Sequence, residues 1–274
     1  MGTRNSHHIH HVKHVGFSYP ISLVQRLYSI ILGPLIIVAI MFIAVRFFSL
    51  HTTADEIISF KELALATLAT VARIGIAYAL AVVIGIPLAL LAVWNSYTEA
   101  IFLPIFDILE SIPILAFFPV LIIIFINFNF LNGAAVFILF LAMLWNLVFT
   151  LVGGLKIIPK DIIYAAEVFN IRGFSYFNKV LIPAIFPQLV TGSILAVAQG
   201  WNIIIVAEVL HVYIPNGTAS QDLFGIGSIL VSAAAHGQMN IFIFAVIAMV
   251  LVIAFVNFFV WQKLLKYAQK YRFE

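Results

Sequence analysis

Between Leu65 and Trp94 the chain carries a single charged side chain, Arg73, in an otherwise apolar run. A helix needs only ~20 predominantly apolar residues to cross the hydrocarbon of a bilayer, and there its backbone N–H and C=O groups must pair within the segment itself. Stretches of the same kind recur at 27–50, 101–126, 134–155, 185–210 and 241–261. The pattern predicts an all-α membrane protein with six transmembrane helices in one bundle. Its membrane domain spans 27–262, between an N-terminal tail (1–26) and a short basic tail (263–274). Composition agrees, with 64% hydrophobic and 9% charged residues where a soluble domain would carry about a quarter charged residues. Cysteine is absent, which excludes disulfides and thiolate metal sites. The N-terminus is polar for ~20 residues before the first apolar run, so no cleavable signal peptide is expected.

Six spans place both termini on one side of the membrane, and the basic residues choose the side. Arg4, Lys13 and Arg26 precede the first span, Lys156, Lys160, Arg172 and Lys179 lie between the fourth and fifth, and Lys263, Lys266, Lys270 and Arg272 follow the sixth. Eleven of the 14 basic residues therefore fall on one face. By the positive-inside rule that face is cytoplasmic. The loops near Asp55 and Glu56 and around 215–222 then face outward. Basic residues of the C-terminal tail suit an anionic inner leaflet better than nucleic acid.

One cytoplasmic stretch, 164–183, reads "YAAEVFNIRGFSYFNKVLIP" and carries charges, amides and glycine in a chain that is otherwise mostly apolar. Ile162, Ala165/Ala166 and Phe169 recur at helical spacing, as do Phe174, Phe177 and Leu181. Two short amphipathic helices are expected, with Pro159 near the start of the first, a turn in 170–173, and Pro183 limiting the second. Helices this short need something to pack on, either the ends of the membrane helices or a partner's groove. A loop lying along the lipid headgroups is the other reading.

"YAAEVFNIRGFSYFNKVLIPAIFP" resembles the cytoplasmic coupling loop of ABC importer permeases, whose pattern is E-A-A, three residues, G, then about a dozen residues to L-P. Aligned on Pro183, the alanines fall on Ala165 and Ala166. Tyr164 stands in place of the pattern's Glu and Asn170 in place of its Gly, while Glu167 and Gly173 sit three residues further on. Asn is the next best residue after Gly for a left-handed turn. "TLATVARIGIAYALAVVIGIPLALL" (67–91), "ESIPILAFFPVLIIIF" (110–125), "WNIIIVAEVL" (201–210) and "FGIGSIL" (224–230) resemble the nitrate/sulfonate/taurine branch of these permeases. The "LWN" and "GWN" pair and the "VWQKLLKYAQKYRFE" tail resemble its anion-transport members. The resemblance implies a type I ABC importer permease fold with cytoplasmic coupling helices in a coupling loop of about 156–183, in the cell membrane with both termini cytoplasmic. It implies a second permease chain, identical or not, two ABC ATPase subunits docked on that loop, and an external binding protein that delivers a small anion. No G-x-x-x-x-G-K-[ST] occurs in the chain, so ATP and Mg²⁺ are expected on the partner ATPase subunits, with no cofactor on this chain.

Candidate pathway residues are the polar groups inside the spans: Arg73, Glu110, Trp145, Asn146, Trp201, Asn202 and Glu208. Arg73 either attracts an anion, reaches the outer headgroups, or forms a structural ion pair. Asp107 and Glu110 either line the pathway or cap a helix start. The two Trp-Asn pairs and Glu208 either line a central cavity or join helices through side-chain hydrogen bonds. His7, His8, His10, His11 and His14 have a density that could bind a metal, but read as a flexible tail without a metal site. Neither H-E-x-x-H nor G-x-S-x-G occurs, which leaves no enzymatic motif. A secondary transporter driven by an ion gradient and a membrane scaffold are the alternative readings.

Overall fold

A computed structural model of the chain describes residues 58–214 and 216–271, together with Ala39. Nearly all of these lie in the second of two compact units, Phe47–Glu274. The expected N-terminal tail, with its histidines, and the expected first span (27–50), Ala39 apart, lie outside the described residues. Among the described residues all regular structure is helical. In chain order the helices are α1 (Phe60–Ala92), α2 (Ser96–Ser111), α3 (Ile114–Asn127), α4 (Leu131–Lys156), α5 (Lys160–Val168), α6 (Phe174–Glu208), α7 (Ile226–Ala235) and α8 (Met239–Tyr271). Four of them, α1, α4, α6 and α8, are long and apolar enough to cross a membrane, and α2 with α3 makes a fifth if the bent pair is one span.

That pair departs from the continuous third span (101–126) expected from sequence. Pro113 has no N–H to donate, and its ring pushes the preceding residue out of helical geometry. Ile112 is accordingly extended (φ −75°, ψ 125°), and α2 and α3 meet at 82°. The other end of α2 is sharply fixed: the Asn95 side chain accepts the Thr98 amide at 2.8 Å while Thr98 Oγ1 accepts the Asn95 amide at 3.1 Å, a reciprocal cap on the helix start.

α4 is the most buried of the long helices and packs against both α1 and α6. Lipid tails are as apolar as leucine, so helices in a membrane associate through close packing, which small residues permit. In α1 the buried stripe is Ala77, Ala81, Gly85 and Ala89, so every fourth position is small. Gly192 and Gly200 of α6 serve the same end: a Cβ on Gly192 would stand 3.0 Å from Thr150 Cβ, and one on Gly200 would collide with Met143 Cε. At the end away from Asn132, Lys156 pairs with Glu99 at 2.6 Å and ties α4 to the start of α2.

Two further departures concern helix ends. The expected second short helix, limited by Pro183, does not stand alone; it is the first part of the 35-residue α6. A π-helical turn at Phe177–Leu181 precedes Pro183, and such a bulge lets a helix continue past positions where regular bonding is interrupted. Likewise residues 263–271 continue α8 through a π turn at Asn257–Trp261 and do not form a separate tail. α7, with only 10 residues, is about 15 Å long, too short to span. It packs Ile226 and Leu230 with Phe242, Ala245 and Met249 of α8.

Candidate functional site: a buried arginine–glutamate clasp and an exposed apolar corner

Arg73 and Thr70 share the buried face of α1, one turn apart. Glu208 is the last residue of α6 and is fully buried. Arg73 Nη1 donates to Glu208 Oε1 at 2.6 Å, and Thr70 Oγ1 donates to the same oxygen at 2.7 Å. The other carboxylate oxygen, Oε2, accepts the Gly227 amide at 2.7 Å. Arg73 uses its remaining directions as well: Nε donates to Asn132 Oδ1 at 2.9 Å and Nη2 to the Phe224 carbonyl at 3.0 Å. One guanidinium thus joins α1, the first turn of α4, the end of α6 and the stretch of chain that enters α7. An ionised group at this depth is tolerated only when paired and hydrogen-bonded, and each partner here supplies what the other needs.

The same carboxylate explains the glycines of "FGIGSIL". The first turn of a helix leaves amides without partners, commonly met by a side chain at the preceding residue. Gly225 precedes α7 and has no side chain to give. Glu208 supplies the acceptor from the end of the preceding long helix, and Thr70 Oγ1 takes the Ile226 amide at 2.9 Å. A Cβ on Gly225 would collide with the Glu208 carboxyl group, and one on Gly227 would stand 2.9 Å from its Oε2. Negative charge is also favoured at this helix end by the backbone dipoles. Beside the clasp, the Leu223 amide donates to the Glu208 carbonyl at 2.9 Å. His211 Nδ1 lies 2.9 and 2.8 Å from the two Asp222 oxygens, which staples the intervening loop.

The remaining pathway candidates are not gathered at this clasp. Trp145 and Asn146 lie about 20 Å further along α4 than Asn132, from the rise of the helix. The Trp145 ring packs on Phe106 with centroids 5.6 Å apart, and Asn146 Nδ2 donates to the Ala142 carbonyl of its own helix at 3.4 Å. Trp201 is half-buried and Asn202 exposed, about two turns before Glu208 on α6. Glu110 is exposed at the end of α2, beside the break at Pro113. Three separate sequence stretches, around Arg73, Glu208 and Gly225, meet in space. The signal available in the sequence is the paired glycine spacing of Gly225 and Gly227.

The coupling-loop candidates lie in a second place, around the end of α5. α5 ends in a Schellman turn: the Ile171 amide donates to the Ala166 carbonyl and the Asn170 amide to the Glu167 carbonyl, both at 2.9 Å. Asn170 occupies the left-handed region (φ 53°) where the coupling pattern has Gly, and Gly173 also has positive φ (58°). Ala166 is buried and Ile162 half-buried, but Phe169 is not part of an inward stripe as its spacing suggests. Val168, Phe169 and Phe174 are 82%, 76% and 80% exposed, with Tyr164 also exposed. Glu167 and Ala165 are exposed beside them, and Pro183 is half-buried in α6.

The sequence pattern of the family described as "binding-protein-dependent transport system inner membrane component" matches residues 81–262. The chain belongs to that family. Relatives of this inner membrane component include the nitrate import permease protein NrtB of Leptolyngbya laminosa, 30% identical over 160 residues, covering 58% of this chain and 56% of the relative. The bicarbonate transport system permease protein CmpB of Synechococcus elongatus is 28% identical over 181 residues, 66% of this chain and 61% of the relative. CmpB of a Synechocystis strain is 31% identical over 144 residues, 53% and 50% respectively. Each match spans between half and about three fifths of the relative's own length. The family match runs from within α1 to α8 and includes Glu208, Gly225 and the turn at Asn170. The family's description names a binding-protein-dependent transport system, which speaks against the ion-gradient alternative.

Proposed function

We propose that this inner membrane component is the permease subunit of an ATP-driven ABC importer for a small anion of the nitrate or bicarbonate type. The names of the relatives support the substrate class. The observation that carries the reading is the exposed apolar corner of Tyr164, Val168, Phe169 and Phe174 on a turn held by backbone hydrogen bonds. A contiguous exposed apolar patch on a well-formed segment signals a partner, and here that partner is an ABC ATPase subunit, two per transporter. ATP and Mg²⁺ bind there, while this chain pairs with a second permease chain and receives its anion from an external binding protein. Both termini face the cytoplasm, on the side of Lys156 and the turn at Asn170.

In this reading the clasp between Arg73 and Glu208 is a fixed joint rather than an anion site, since its donors are already engaged with protein. Asn202, which stands exposed on α6, and Glu110 beside the α2–α3 break are the polar groups left for the pathway. ATP-driven closure of the ATPase pair would move α5 and switch the cavity between outward- and inward-facing states. The test is co-expression with an adjacent ATPase and binding protein, reconstitution, and uptake of labelled nitrate and bicarbonate. Uptake should require ATP and the binding protein; uptake that persists without ATP and collapses with an ion gradient would refute the reading.

A further inference from the structure

A cavity of about 300 Å³ opens between the start of α6 and the end of α8. Pro183 and Ala184 of α6, Ile162 of α5 and Tyr271 of α8 line it together with Lys179 and Lys270. No acidic residue lines it among the described residues, and neither lysine forms an ion pair among them. Lys270 Nζ lies over the Tyr267 ring, 5.3 Å from its centroid. Tyr271 is braced: its hydroxyl is 3.0 Å from that of Tyr267, and both rings pack edge-on against Phe186 at 5.6 and 5.7 Å. The cavity therefore sits at the ends of two membrane-spanning helices, with tyrosines beside it, at the level where aromatic side chains meet lipid headgroups.

Two lysines lining a cavity that has no acidic residue in its lining match one kind of chemistry. A phosphate group accepts charge-assisted hydrogen bonds from both ammonium groups, and an anionic headgroup is the form in which phosphate is concentrated at a membrane surface. The volume is sufficient for a phosphoglycerol group, since ligand pockets begin at about 300 Å³. We propose that this cavity binds a phosphate ligand of net negative charge at headgroup level, held between Lys179 and Lys270. A ligand seated there touches α5, the start of α6 and the end of α8 at once, and so bridges the cytoplasmic corner to the last span.

Native mass spectrometry of the purified chain in detergent tests this, with phosphatidylglycerol and phosphatidylcholine offered at equal concentration and inorganic phosphate in a separate arm. Each lysine near an anionic surface contributes about fivefold, so Lys179→Gln with Lys270→Gln should lower phosphatidylglycerol retention about 25-fold. The conservative pair Lys179→Arg with Lys270→Arg should keep it, which also shows that the fold tolerates change there. Lys263→Gln with Lys266→Gln, which also removes two positive charges but from α8 outside the cavity lining, should leave retention unchanged. If inorganic phosphate binds with the same dependence on Lys179 and Lys270 while phosphatidylglycerol shows no preference over phosphatidylcholine, the cavity holds a soluble phosphate and the site stands. Equal loss from both glutamine pairs, or no retention of any anionic phosphate ligand above zwitterionic phosphatidylcholine, overturns the proposal.

Discussion

Glu208 ends one helix and caps another: its Oε2 accepts the Gly227 amide at 2.7 Å while its Oε1 accepts Arg73 at 2.6 Å. The side chain thereby converts the chain reversal between α6 and α7, which would otherwise leave the Gly227 amide without its acceptor, into a joint shared by α1, α4, α6 and α7. Charge, helix capping and steric fit of the glycines all depend on this one carboxylate.

Removing both members of the pair should cost less than the sum of removing each alone. Arg73→Met leaves a buried carboxylate without its cation, and Glu208→Leu leaves a buried guanidinium without its anion, each expected to destabilise by about 3–5 kcal/mol. In the double variant no charge is stranded, so its loss should fall short of the sum by about 2 kcal/mol, within the range seen for residues in contact. Thermal unfolding of the four proteins in detergent measures the cycle. Additive losses would show that the two side chains act independently.

Gly225→Ala should destabilise by about 1–3 kcal/mol, the usual cost of forcing atoms into a packed site, because the new methyl group meets the Glu208 carboxyl group. In a Glu208→Ala background most of that penalty should vanish. Gly75→Ala is the control, since a Cβ there meets nothing within 4 Å and alanine is the better helix former by about 1 kcal/mol. The same unfolding assay reads all of them, and an equal Gly225→Ala loss in both backgrounds would locate the clash elsewhere.

Much of this architecture is legible in the sequence, because apolar runs as long as a bilayer is thick have few other uses. The runs at 65–94, 134–155, 185–210 and 241–261 each correspond to a helix of the structure. Pro113 is visible too, but hydropathy alone does not tell a kinked span from two helices meeting at 82°; the decision rests on the extended Ile112 that precedes the proline. The π turns at Phe177 and Asn257 have no local signature, so α6 and α8 run further than proline and charge suggest. The site is the hardest part to read. Arg73 stands 135 residues before Glu208, and a single sequence carries no periodicity that would join it to Glu208 and Gly225. Asn170, by contrast, can be read directly, since a left-handed residue is a local matter.

Asn170 should be replaceable by Gly and by little else. Asn170→Gly keeps the left-handed turn and is expected to leave stability within about 1 kcal/mol of the parent. Asn170→Val forces a β-branched residue into φ 53°, at a cost of about 1–2 kcal/mol, the penalty of that region for a residue with a Cβ. Under the ATPase-docking proposal the valine variant should also lose co-purification with the ATPase subunit, whereas the glycine variant should retain it. Glu167→Ala, which leaves the turn's backbone bonds in place, should weaken assembly if the exposed carboxylate makes the polar contact. Full assembly and coupled uptake by Glu167→Ala would remove that residue from the interface.

Phe169 and Phe174 separate docking from folding. Both are more than three quarters exposed, and their rings contribute little to the isolated chain. Substitution of either by Ser should therefore change the stability of the purified subunit only slightly, within about 0.5 kcal/mol, as for other surface positions. If the corner seats in an ATPase groove, the same changes truncate buried aromatic anchors, for which losses of about 2 kcal/mol or more are usual, roughly thirtyfold in affinity. Pull-down of the ATPase subunit and ATP-dependent uptake should both fall while expression and unfolding stay level. A Phe169→Ser, Phe174→Ser double variant that assembles and transports like the parent would show that the exposed corner faces something other than the ATPase, and the lipid headgroup surface would then be its remaining occupant.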